Sequence, residues 1–254
     1  ENFAEAICSG ESFSITPSNS TLNSIPVGTT YSWSAPIVTG GITGGASATN
    51  QTSISGTLVN PTNIVQTATY TVTPRANGCA GNTFTVVISV NPNPVIANVT
   101  HPAICSENAF TVTPTNGSGN IVPTGTTYTW TISTNTNITG ATASSATGIS
   151  TISQTLTNTT NTAQTIVYTV TPTSGDTGNC VGNTFTLSVV VNPKPLVLAT
   201  TQTICSGTSF TATPTNGSGN SVPSTTTYTW TTPISSPSGA ITGGLAQATG
   251  LNTI

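Results

Sequence analysis

The chain has 254 residues, enough for one large domain or two to three small ones, and carries 2 Lys or Arg, 5 Asp or Glu and 1 His. An ordinary globular protein charges roughly a quarter of its residues, and so few cations exclude the electrostatic footprint that nucleic acid or an anionic membrane requires. The longest apolar run is only a strand, and no stretch reads as a signal peptide or membrane span, so any targeting signal or anchor is expected outside this segment.

Taken in chain order, ENFAEAICSG predicts a short edge strand leading to Cys8, and Phe13 and Ile15 give the next strand its buried face. After a Ser- and Asn-rich loop, Tyr31 and Trp33 of GTTYSWSAP point the same way, as alternate residues of a strand do. GGITGGASAT, residues 40 to 49, predicts a loop or an irregular edge strand. Ile54 and Leu58 mark a further strand and NPTN a turn. Tyr70 and Val72, then Phe84, Val86, Ile88 and Val90, alternate with polar residues in a closing hairpin. NPNPVIA, from Asn91, is a proline-stiffened exit that favours an extended, semi-rigid connection.

The plan then recurs. AICSGESF, AICSENAF and TICSGTSF open equivalent segments at Cys8, Cys105 and Cys205, and Trp33, Trp130 and Trp230 keep the same spacing. IVQTATYTVTPRANGCAGNTFTVVISVNPNP returns as TIVYTVTPTSGDTGNCVGNTFTLSVVVNPKP, Thr165 to Pro195. A self-similar period of about a hundred residues, with about seven short strands and no helical spacing, predicts an all-β array of tandem immunoglobulin-like sandwiches. The domains run 1–91, 92–192 and 193–254, the third stopping at ATGLNTI before its closing strand pair. Its apolar strand faces would be uncovered. We expect the chain to continue past Ile254 and supply a partner for Cys205, the alternative being strands donated by another subunit.

Two cysteines fall in each complete unit, Cys8 with Cys79 and Cys105 with Cys180. With no histidine beside them they make a poor zinc shell, so the reading is one disulfide within each unit, ahead of buried free thiols or a metal site. Closing a loop of some seventy residues would stabilise a unit by about 4 kcal/mol.

Tyr31, Trp33, Tyr128, Trp130, Tyr228 and Trp230 read as core aromatics rather than a sugar-stacking platform, since each Trp follows a Tyr of the same face. His101 is alone, in a linker, with no placed partner for general-base work. The five acids share no repeated position, which leaves paired carboxylates and calcium cages without residues. Asp176 reads as a turn residue, and GITGG is not followed by the helix that a phosphate loop needs. Asn19, Asn50, Asn98, Asn116, Asn137, Asn158 and Asn216 sit in N-x-S/T sequons, which chance produces in so Thr- and Asn-rich a chain. No enzyme activity, cofactor or metal is expected.

The order ICSG…F-T-x-T-P-T-N-G-S-G-N…P-x-G-T-T-Y-T-W…Y-T-V-T-P…C-x-G-N-T-F…V-N-P-x-P resembles the PKD-like repeats of very long secreted surface proteins of the Bacteroidetes. These include adhesins of gliding motility and the type IX secretion route. The acidic turn of better-known PKD domains is absent, the Trp being followed by SAP, TIS or TTP. The resemblance implies an exported stalk or fibre at the cell surface, partnered by neighbouring repeats or fibre subunits. The rival reading is a binding module whose Thr/Asn faces or TNGSGN loops (residues 115 to 120) contact glycans or surfaces.

Overall fold

The computed structural model describes residues 1–146, 148–175 and 178–254, and the Asp176 turn lies outside them. The described residues contain strands and turns and no helix.

The first repeat contains β1 (Phe3–Cys8), β2 (Ser12–Ile15), β3 (Thr30–Trp33), β4 (Ile37–Val38) and β5 (Ala48–Gln51). It continues with β6 (Ile54–Thr57), β7 (Gln66–Ala76), β8 (Cys79–Ala80) and β9 (Phe84–Asn91). One sheet has the order β1-β9-β7-β3-β5, with the two-residue strands β4 and β8 attached to β7; β2 and β6 form a separate ribbon. Period-two alternation turns Ala68, Tyr70 and Val72 of β7 and Val86, Ile88 and Val90 of β9 inward. The Phe13 ring of β2 meets Tyr70 at 5.5 Å, which joins ribbon and sheet across one core. Each buried Val, Ile or Phe among these contributes roughly 1.5–3 kcal/mol.

The second repeat follows the same plan with β10 (Val99–Cys105), β11 (Asn108–Val112), β12 (Thr127–Ile132), β13 (Ile138–Thr139), β14 (Ile152–Asn158), β15 (Gln164–Thr173) and β16 (Phe185–Asn192). A sheet of order β10-β16-β15-β12 faces a sheet of order β11-β14-β13. Phe110 and Tyr168 are in contact across them, at 5.4 Å. The buried apolar residues form two separate clusters, one in each repeat.

The glycine-rich stretch is more ordered than a loop. Ile42 is buried and Thr43 bridges Val59. Gly44 has φ +92°, and a Cβ there would run into the Thr57 carbonyl oxygen; Gly140, at φ +86°, stands in the same relation to Thr155. Only glycine allows that crossing.

In the third segment β17 (Tyr228–Trp230) pairs with β18 (Gln247–Leu251), and Ala212 exchanges both backbone bonds with Ile254. That last pairing reproduces the Val112–Ile152 pair of β11 and β14. Phe210 remains 57% exposed and Ile241 74%, whereas their counterparts Phe13, Phe110, Ile42 and Ile138 in the complete repeats are buried.

The structure overturns both disulfides read from the sequence. Cys8 is bonded to Cys180, with a Cα–Cα separation of 5.6 Å, and Cys79, Cys105 and Cys205 are free and exposed. The reason is strand direction. β1 pairs parallel to β9, with Phe3 opposite Val86 and Cys8 opposite Asn91. Cys8 therefore lies at the far end of β9, while Cys79 precedes its near end at Phe84. A strand of 8 residues spans about 23 Å at roughly 3.3 Å per residue, far beyond the ~7 Å limit for a disulfide. The parallel pairing of β10 with β16 separates Cys105 from Cys180 in the same way. The expected Cys8–Cys79 and Cys105–Cys180 bonds would each have to cross a whole domain.

Candidate functional site: the joint between repeats

Among the described residues no three His, Cys, Asp or Glu side chains come together as a metal site would need. His101 lies within β10 rather than in a linker, its ring 5.8 Å from Phe110 and its Nδ1 at 2.7 Å from the Pro102 carbonyl oxygen. Tyr31, Trp33, Tyr128 and Trp130 are buried, while Tyr228 and Trp230 are half-buried. The indole N–H groups of Trp33, Trp130 and Trp230 donate to the carbonyls of Ala46, Thr142 and Leu245. Each indole is thus tied to the loop that follows its own strand. Burial raises the phenol pKa of Tyr31, Tyr70 and Tyr168, and pushes that of Tyr128 up to about 12.

What the sequence repeats does converge on is the joint. Asn91, at the end of β9, is buried, and its carbonyl accepts from Ser9 N–H at 2.9 Å. Asn93 Nδ2 donates to the Ser9 carbonyl at 2.8 Å, which ties the first linker back to the segment after Cys8. From the other side comes the β15–β16 hairpin loop. Gly178 lies so close that a Cβ there would meet Asn91 Nδ2 at 2.6 Å, and one on Gly182 would collide with the Pro94 carbonyl. The buried Cys180 sits between these two glycines and takes Cys8. Ser174 steadies it, its hydroxyl accepting from Cys180 N–H at 2.9 Å and its own N–H donating to the Cys180 carbonyl.

The linker then enters the next repeat through a single β-bridge. Val95 and Ile121 exchange backbone bonds of 2.9 and 2.8 Å, and Ala97 N–H donates to Asn120 Oδ1 at 2.9 Å. The second linker docks identically: Leu196 exchanges bonds with Ser221, and Leu198 N–H donates to Asn220 Oδ1 at 2.8 Å. The TNGSGN loops, a candidate glycan contact in the sequence, each hold a linker through their last residue, Asn120 or Asn220. At the second linker Lys194 makes an ion pair with Glu107, which raises the ammonium pKa through the shared hydrogen bond.

A family model described as "PKD-like domain" matches residues 5–94 and again 102–195. The chain belongs to the PKD-like domain family. Comparison with curated protein sequences found no match. Among solved structures the chain is similar to mouse clustered PcdhgC3 EC1-3, at 14% identity over 76% of this chain and 65% of that one, TM-score 0.32. It is similar also to the chicken CNTN1 FN1-FN3 domains, at 10% identity over 75% and 65%, TM-score 0.30. For Yersinia pseudotuberculosis InvD the figures are 14% identity over 81% and 58%, TM-score 0.27. The chain thus spans less than two thirds of these structures' lengths.

Two further features of the PKD-like repeats escaped sequence reasoning. In each, a buried asparagine clamps the turn before the closing hairpin. Asn60 Nδ2 donates to the Ile64 and Val90 carbonyls at 2.8 Å, and its Oδ1 accepts from the N–H and hydroxyl of Thr62. Asn158 repeats the pattern with Thr162, Val191 and Thr160. Its sequon is therefore occupied by the core. The signal was the repeated N-x-T before each hairpin, legible as a turn but not as a buried clamp.

The second feature is a groove of about 630 Å³ at the entrance of the first PKD-like repeat, lined among others by Ser24, Pro74, Cys79 and Gly81. These are the positions that, in the second repeat, hold the linker.

Proposed function

We propose that these PKD-like repeats form a load-bearing segment of an extracellular stalk or fibre, of the cell-surface adhesin kind that the motif order resembles among secreted Bacteroidetes proteins. The role is mechanical and not enzymatic, with no cofactor. The Cys8–Cys180 bond carries the reading. It joins the start of one repeat to the closing hairpin of the next across 172 residues, so tension applied at the chain ends bypasses the chain between the two cysteines and falls on β1 and β16, each held in its sheet by a neighbouring strand. Backbone pairing of Val95 with Ile121 and of Leu196 with Ser221 stiffens the linkers themselves. Such a bond also fits an oxidising compartment.

Single-molecule stretching between the chain termini tests this. Under oxidising conditions the two complete repeats resist as one covalently bypassed unit. Reduction releases the chain between the two cysteines, adding roughly 600 Å of contour at 3.3–3.6 Å per residue. Equal extension with and without reductant would remove the mechanical reading.

A binding module is the second reading, and one surface favours it. Thr129 and Thr131 of β12 lie opposite Thr171 and Thr169 of β15, and with Trp130 and Ser144 they line a shallow groove of about 360 Å³. Specific retention on a glycan array, lost in Thr129→Val with Thr171→Val, would move the function to that face.

A further inference from the structure

The second repeat's hairpin loop is occupied, and the first repeat's is not. Both hairpins have the same local build: Gly81 N–H donates to the Pro74 carbonyl at 2.9 Å as Gly182 N–H does to that of Pro172. Four of the residues that grip the linker are matched, although the first repeat's loop is the shorter, 7 residues from Pro74 to Gly81 against 10 from Pro172 to Gly182. Cys79 stands where Cys180 does, Gly81 where Gly182 does, and Asn23 and Ser24 where Asn120 and Ile121 do. In the second repeat these four positions take Cys8, Pro94, Ala97 and Val95. In the first repeat they border the groove of about 630 Å³, Cys79 is exposed, and a Cβ on Gly81 would meet nothing nearer than Pro74 Cγ at 3.2 Å.

We infer that this groove is a socket for the exit linker of another PKD-like repeat of the same design, and that Cys79 forms a disulfide with that repeat's leading cysteine. The occupant presents an extended N-P-x-P segment with a cysteine on the adjoining strand end, as Asn91–Pro94 and Cys8 do. Cys105, exposed at the end of β10 opposite Asn192, has that placement. The bond forms by exchange with a low-molecular-weight disulfide such as oxidised glutathione. One cysteine thiolate displaces glutathione to give a mixed disulfide, the second displaces the other glutathione, and both thiol protons end on the two released glutathione thiols. Repeated along an array, the bonds interlace, each reaching past the start of the next. The inference rests on the observed joint rather than on the stalk reading, since a glycan-binding array would need the same joint.

The test extends the full chain at its N-terminus with a copy of residues 98–197, so that the copied Val197 precedes Glu1. After refolding with reduced and oxidised glutathione, non-reducing peptide mapping should find Cys79 bonded to the copied Cys105, with Cys8–Cys180 retained. The Gly81→Ala substitution in the extended chain should abolish that bond, because its methyl group fills the position facing the linker carbonyl. In the unextended chain Gly81→Ala should leave the first repeat's unfolding transition in place, which separates socket blockage from misfolding. Cys79 left reactive to alkylation in the extended chain, or bonded to any cysteine other than the copied Cys105, would overturn the inference. So would a bond that forms equally well with Gly81→Ala.

Discussion

Polar groups that sit inside the two sandwiches carry more of their specificity than the nearly uncharged surface does. Asn60 and Asn158 each satisfy four hydrogen bonds at 3% and 7% exposure. Truncation strands buried carbonyls and an amide, at about 1–3 kcal/mol apiece. We expect Asn158→Ala to lower the second repeat's stability by about 3 kcal/mol, a fall in Tm of more than about 10 °C by calorimetry; a loss below about 1 kcal/mol would refute the clamp. The buried tyrosines set the alkaline limit. Tyr128 ionises at about 12 in the folded state because burial disfavours the phenolate, against about 10 in the unfolded chain. The folded state then holds its proton where the unfolded state has lost it. This contribution is complete below about pH 10 and disappears as pH rises towards 12. Denaturant midpoints measured across that window should fall, and a flat profile would contradict the burial.

Hairpins and linkers are the elements that decide protease access. Trypsin has two sites. Lys194 precedes Pro195, and Arg75 lies in β7, paired with Thr30 on one side and Ala80 on the other. A Cys8–Cys79 bond, as read from the sequence, would have closed the hairpin that holds Arg75, but Cys79 is free. Its protection comes from the ladder. We therefore expect the folded chain to survive trypsin both before and after reduction; rapid cutting at Arg75 upon reduction would show that a thiol bond, not strand pairing, guards it.

For the whole molecule, a staple between repeats has a different consequence from one within each. A bond enclosing a single core would stabilise that core, whereas Cys8–Cys180 connects two cores that are already complete. Cys8→Ser should leave both unfolding transitions nearly in place yet speed amide exchange at Val95 and Ile121, the pair beside the joint. Loss of either core's transition would contradict this separation. Gly182→Ala should loosen the same amides, since its methyl group would displace Pro94.

Local chemistry was enough to establish the strands, the period and the inward faces. Alternation in YTVT and FTVVISV specifies which side of a strand is apolar, and repetition of Cys, Trp and N-P-x-P specifies the unit. The same residues could not disclose the direction in which the first strand pairs with the last. Parallel pairing of β1 with β9 and of β10 with β16 is a choice between edges made by the packed sheet, invisible to period-two patterning. That choice carries the leading cysteine to one pole and leaves the hairpin cysteine at the other. A pairing drawn within each unit thus becomes a bond between units, and the clamp asparagines are buried only once both sheets close over them.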